Sequence, residues 1–238
     1  MPPIIKAIGN LVPQQPLTSP LDWTKVRLEP SGSTIDLLYG TRVEFQRAEN
    51  NRDYFKILDF EHQNREASLS HEQVGGTFKS RLIQPLAYLG PAKVDWDAGI
   101  KKVVVSIPGT PSIPKIEATG KSDTDPANLS NGTFKLRPRM EVFRPGTDPP
   151  ALGEIYKGYL RDAPHFYTWF LIEYQPARGF FLHAGRASAG CVTVTEMPKW
   201  ESIFQLLVRC RTPDFKHIGE ITVKGHGPSP FKTSYGQA

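Results

Sequence analysis

His183 and Cys191 stand eight positions apart in "GFFLHAGRASAGCV", residues 179 to 192 of this 238-residue chain, and their types suit covalent chemistry. A thiol with a pKa of about 8.5 is mostly protonated at neutral pH, so a nucleophilic cysteine needs an imidazole or positive potential beside it. His183 ends an apolar run whose alternation can bury Phe181 while its end opens to solvent. The small residues of "AGRASAG" can turn tightly and bring Cys191 back at the start of a second strand-like run, "CVTV". Histidine and cysteine are then expected to face each other across a loop. Gly190 permits close approach of a substrate backbone, the Gly190 and Cys191 amides can form an oxyanion hole, and Ser188 can bond the imidazole or the loop. The same residues also suit a buried structural thiol beside an incidental histidine, and spacing alone leaves both readings open.

Other residues offer weaker chemistry. "ATGKS" (118 to 122) lacks the glycine that a phosphate-binding loop needs five positions before Gly120, because Lys115 stands there. A phosphatase loop needs an arginine six residues after its cysteine, and Met197 occupies that place. Cys210 reads as a packed small hydrophobe. His165, His217 and His226 lack paired helical spacing, so no metal or other cofactor is expected. Asn128 and Asn131 begin sequons that matter only in a eukaryotic secretory route, for which nothing in the sequence argues. Trp96, Trp169 and Trp200 read as core anchors, with Trp169 and Tyr167 near enough in sequence to the histidine strand to line a cleft.

The elements that must position these groups are mostly strands. With 39% hydrophobic and 22% charged residues the chain has an ordinary globular composition, and its 22 prolines punctuate it as loops do in β-rich folds. Three short runs within 34 to 60 predict a meander, 61 to 80 is polar and in part helical, and 84 to 96 reads as an irregular connection. Alternation then predicts strands at 101 to 107, 133 to 143, 168 to 174, 179 to 184 and 218 to 224. Trp200, Ile203, Phe204 and Leu207 fall on one face of the only good amphipathic helix, with Pro198 suited to its first turn. A net charge of +5 favours an anionic polymer as partner, but no basic run interleaved with aromatics offers a nucleic-acid platform. No stretch reaches the roughly 20 apolar residues of a membrane span, so no stable membrane insertion is expected. The N-terminal segment lacks the marks of a signal peptide, so synthesis in the cytoplasm without one is expected.

The segment "GFFLHAGRASAGCV" resembles the active-site segment of the L,D-transpeptidase catalytic domain, whose signature is a histidine followed by a Ser-x-Gly-Cys-hydrophobic block. It is most similar to the compact branch delivered as antibacterial effectors by type VI secretion. The matching positions are His183, Gly185, Ser188, Gly190, Cys191 and Val192. Upstream, 116 to 138 resembles the part of that branch where a strand and a glycine-containing loop meet substrate, which places Thr119, Gly120 and Lys121 near the cleft. The likeness covers about 100 to 238, giving a catalytic domain over 96 to 238. Residues 1 to 95, a Pro-rich arm plus the meander, form a region of unknown role. Two positions depart from the family: Ala189 stands where many members have histidine, and Thr193 where many have arginine, leaving Arg186 as a substitute.

The resemblance implies a mainly β, β-sandwich-like domain with one amphipathic helix after the cysteine. It implies Cys191 as nucleophile, His183 as base, and Ser188 and Gly190 supporting them, with Gly185, Arg186, Thr119, Gly120, Lys121 and Trp169 around the substrate. The implied partners are peptidoglycan stem peptides, an immunity protein and secretion-system components, with action in the periplasm of a target bacterium. A wall-binding module without turnover remains an alternative. So does a papain-like hydrolase using His217 or His226.

Overall fold

The computed structural model describes residues 6–8, 23–70, 83–84, 88–122, 129–139, 165–174, 179–186, 188 and 190–226. Most of the Pro-rich arm, the 71 to 80 stretch, the end of the expected 133 to 143 strand and Ala189 lie outside them. The architecture is mainly β. The first sheet has seven strands: β1 (Lys6–Ile8), β2 (Trp23–Glu29), β3 (Thr34–Leu38), β4 (Arg42–Glu49), β5 (Arg52–Ile57), β6 (Glu66–Ser70) and β7 (Ile83–Gln84), in the order β3-β2-β6-β5-β4-β1-β7. The expected meander is therefore shifted by one strand. β4, β5 and β6 form it, while β3 folds back on β2 and leaves the chain to turn away at Gly40. Val26, Leu28, Phe55, Ile57 and Leu69 fill a small core of this sheet.

The second unit is a closed barrel of eight strands: β8 (Ala92–Asp97), β9 (Lys102–Ser106), β10 (Ile116–Lys121), β11 (Gly132–Pro138), β12 (Phe170–Ile172), β13 (Phe180–Ala184), β14 (Val192–Val194) and β15 (Gly219–Lys224). Their order is β10-β14-β13-β12-β11-β15-β8-β9. Where sandwich-like layers were expected, β9 pairs with β10 and joins the two ends of the sheet, leaving no open edge. Two neighbouring pairs, β13–β14 and β15–β8, are parallel. The strand β8 spans most of what reads as an irregular connection. Its alternation is plain once the Leu-Gly-Pro before it is set aside: Ala92, Val94 and Trp96 enter the core, and Lys93 and Asp95 lie outside it.

Residues of alternate strand positions fill the barrel, including Val103, Val105, Leu136, Phe170, Leu182, Val192, Ile221 and Val223. The predicted helix, α1 (Trp200–Leu207), follows a short turn that contains Pro198. Its Trp200, Ile203, Phe204 and Leu207 are fully buried, each such side chain contributing about 2 kcal/mol by leaving water. Among the described residues no helix is long and apolar enough to cross a membrane.

Sheet and barrel share a seam. Leu38 and Phe60 belong to the barrel's core, and the Trp23 indole donates to Thr168 Oγ1 at 3.2 Å. Asp59 lies buried between two arginines, accepting from Arg42 Nε at 2.6 Å and from Arg211 Nε at 2.9 Å. Arg211 Nη2 donates to the carbonyl of Gly40 at 2.7 Å, so one guanidinium from the barrel reaches two separate parts of the sheet.

Candidate functional site

The register of β13 and β14 decides which side chains meet. Leu182 lies opposite Val192, His183 opposite Thr193 and Ala184 opposite Val194. Strand alternation sends Leu182, Ala184, Val192 and Val194 into the core, so Phe181, His183, Cys191 and Thr193 share the outer face of the wall. In β12 Phe170 lies opposite Leu182, which sets Trp169 beside His183. In β10 Lys121 lies opposite Thr193. Trp169, His183, Thr193 and Lys121 thus make one row across the barrel wall, with Cys191 one step along the same face. Histidine and cysteine do not face each other across a loop, as spacing suggested. They reach one face because parallel strands place them there.

The imidazole of His183 is held on three sides. Its ring stacks on the Trp169 indole with centroids 4.2 Å apart and planes 16° from parallel. Nδ1 lies 2.7 Å from the Ala184 carbonyl oxygen, which can only accept, so Nδ1 carries the proton and donates. Nε2 is then the accepting nitrogen, and the Thr193 hydroxyl donates to it across 3.1 Å. Thr193 is fully buried and His183 is 3% exposed. Burial without a counter-charge disfavours the imidazolium and pushes the His183 pKa down to about 4, although the Ala184 carbonyl works the other way.

Cys191 is half-buried and free of any disulfide. Burial pushes its thiol pKa up, with the Phe181 backbone opposing. The two shifts are opposite to those of a standing thiolate and imidazolium, so both groups rest neutral at pH 7. Among the described residues no hydrogen bond joins thiol to imidazole. The arrangement therefore suits general-base activation of a thiol at the moment of attack, with the tautomer already set.

The other expected residues divide. Ser188 donates to the Cys191 carbonyl at 2.7 Å, so it braces the loop and not the imidazole. Gly190 has φ +94°, a conformation that suits glycine, and its carbonyl accepts from Ser122 at 3.4 Å. The Gly185 amide donates to Val194 and leads the chain off β13. Arg186 is exposed on that loop. Thr119 and Lys121 are exposed on the outer side of β10, with the Thr119 amide bonded to Glu196. Gly120 faces inward: a Cβ there would sit 2.5 Å from the Trp96 ring, so this glycine packs the core and does not line the cleft.

No family model, curated protein or solved structure matches this chain. What the site can do therefore rests on its own geometry.

The remaining histidines are engaged elsewhere. His217 bonds Glu173 at 3.1 Å, His226 accepts from the Trp96 indole at 3.1 Å, and His165 stacks on Phe204 with centroids 3.9 Å apart. Among the described residues no cluster of three or more His, Cys, Asp or Glu side chains could hold a metal. Cys210 is buried against the Leu206 carbonyl. The residue that sequence reasoning missed is Thr193. It stood out only as a departure from a family pattern, and its partner, ten positions earlier, becomes visible only with the parallel register.

Proposed function

We propose that this protein is a cysteine-dependent acyl transferase acting on peptidoglycan stem peptides, as an L,D-carboxypeptidase or L,D-transpeptidase. The observation that carries the reading is the β13–β14 register, which puts Cys191 on the same face as a His183 whose accepting nitrogen points toward the cysteine's own strand. The closed barrel, with its helix after Cys191, serves as the catalytic domain, and residues 1 to 95 add the second sheet. Sulfur attacks the carbonyl carbon preceding a terminal D-alanine. The S–C bond forms, the C–N bond breaks, and the thiol proton passes to His183 and on to the departing amine. Water then releases a tetrapeptide-derived acid, or an amine takes the acyl group. The Gly190 and Cys191 amides stabilise the oxyanion. Lys121, Thr119 and Arg186 supply the polar rim that meets substrate charge. Delivery into the periplasm of another bacterium, and an immunity partner in the producer, accompany this reading. The pairings of His217 and His226 disfavour the papain-like alternative, because both rings are already engaged away from Cys191.

Purified tetrapeptide muropeptides incubated with the protein and followed by mass spectrometry test the proposal. D-alanine release or exchange is expected, and Cys191→Ala abolishes it. Retention on sacculi with no new product identifies the binding module instead and overturns the enzyme reading.

A further inference from the structure

An imidazole has one accepting lone pair, and in His183 it is already taken. Nε2 receives the Thr193 hydroxyl at 3.1 Å, and Nδ1 is committed to the Ala184 carbonyl at 2.7 Å. The Trp169 stack restrains the ring from swinging toward another donor. Cys191, meanwhile, stands two residues before Thr193 on the same strand face, half-buried where the threonine is fully buried. Among the described residues no direct hydrogen bond links sulfur and ring. A proton that reaches Nε2 in this geometry comes along the Thr193 hydroxyl.

We propose that Thr193 is a positioning and relay residue, the hydroxyl through which Cys191 hands its proton to His183. The S–H bond breaks as sulfur attacks, that proton bonds to Thr193 Oγ1, and the proton already on Oγ1 moves to Nε2. No proton is gained or lost overall. A hydroxyl suits the task because it donates to neutral Nε2 before the transfer and accepts from protonated Nε2 after it, while its remaining hydrogen can turn to the thiolate. Valine matches threonine in shape and can do neither. The lysine opposite, Lys121, is the charged side chain that faces Thr193 across the β10–β14 ladder, and its positive charge favours the thiolate formed on that face.

This rests on the Cys191 and His183 pairing, so the test uses a readout that needs no wall peptide. Iodoacetamide alkylation at pH 8, followed by intact mass, reports Cys191 because Cys210 is buried. Thr193→Val is expected to slow alkylation by about tenfold or more, a modest share of what general-base help supplies. Thr193→Ser restores most of the rate, and His183→Gln slows it to a similar degree. The Thr193→Val/His183→Gln double variant is no slower than either single one, because both remove one path. Wild-type rates in Thr193→Val, or losses that multiply in the double variant, overturn the relay. Ring ¹⁵N shifts of His183 in the unaltered protein supply a check that no folding defect can blur: protonated Nδ1 with bare Nε2 supports the relay, and the reverse tautomer overturns it. If muropeptides give no product while the serine rescue holds, the wall substrate is wrong and the relay stands.

Discussion

Two buried polar groups of this molecule are treated in opposite ways. At the seam, Asp59 is bracketed by Arg42 and Arg211, with four donors converging on its two oxygens at 2.6 to 2.9 Å. On the barrel wall, His183 is buried among an indole, a carbonyl and a hydroxyl, with no carboxylate against it. The first environment is built for charge and ties two sheets together. The second excludes charge at rest and keeps a base ready. Burial alone does not separate structure from chemistry; the partner's ability to carry the opposite charge does.

The sharpest way to break this contrast is to remove the carboxylate. Asp59→Asn leaves two buried guanidiniums facing a neutral amide and is expected to cost about 3–5 kcal/mol in urea unfolding. A loss under about 1 kcal/mol, the scale of an exposed pair, erases the distinction between seam and wall.

Acid probes the other side. The unfolded His183 titrates near its model value of 6.5 and the folded one near about 4, so the penalty is absent above the upper value, grows as pH falls through the window, and is complete below the lower one. At 1.36 kcal/mol per pKa unit that amounts to about 3 kcal/mol lost on acidification. Unfolding midpoints of the wild type and of His183→Gln, compared from pH 7 to pH 4, should converge as the wild type weakens. Parallel curves place a charged imidazole in the wall.

Next comes the strand that carries Lys121. Gly120→Ala drives a methyl group against Trp96 and Val103 and is expected to cost about 1–3 kcal/mol by thermal melting, while leaving the outer row in place. The smallest effect belongs to Trp169→Phe, which keeps an aromatic face beneath the imidazole but less of it. About 1 kcal/mol is expected to go, and with it part of the depression of the His183 pKa, read by the same ¹⁵N shifts.

How much of this was legible in sequence depends on distance along the chain. The strands at 102 to 106, 180 to 184 and 219 to 224 were readable because Val103, Leu182 and Ile221 alternate with outward residues inside windows of a few positions. The helix was readable for the same reason at helical period. Strand β8 was hidden by the Gly-Pro before it, although Val94 and Trp96 carry the alternation. The partnership of His183 with Thr193 had no local mark, because a parallel register between neighbouring strands is fixed by the whole wall and not by the loop between them. Gly120 was misread for a related reason: a glycine beside exposed Thr119 and Lys121 suggests a loop, yet its task is to let an indole approach from inside.

The closure of the wall has a consequence for synthesis. The last strand, β15, sits between β11 and β8, so until Lys224 has been made both of those strands present bare amides and carbonyls along one side. A nascent chain carries two sticky flanks through nearly all of its translation, and loses both in a single event when the final segment docks.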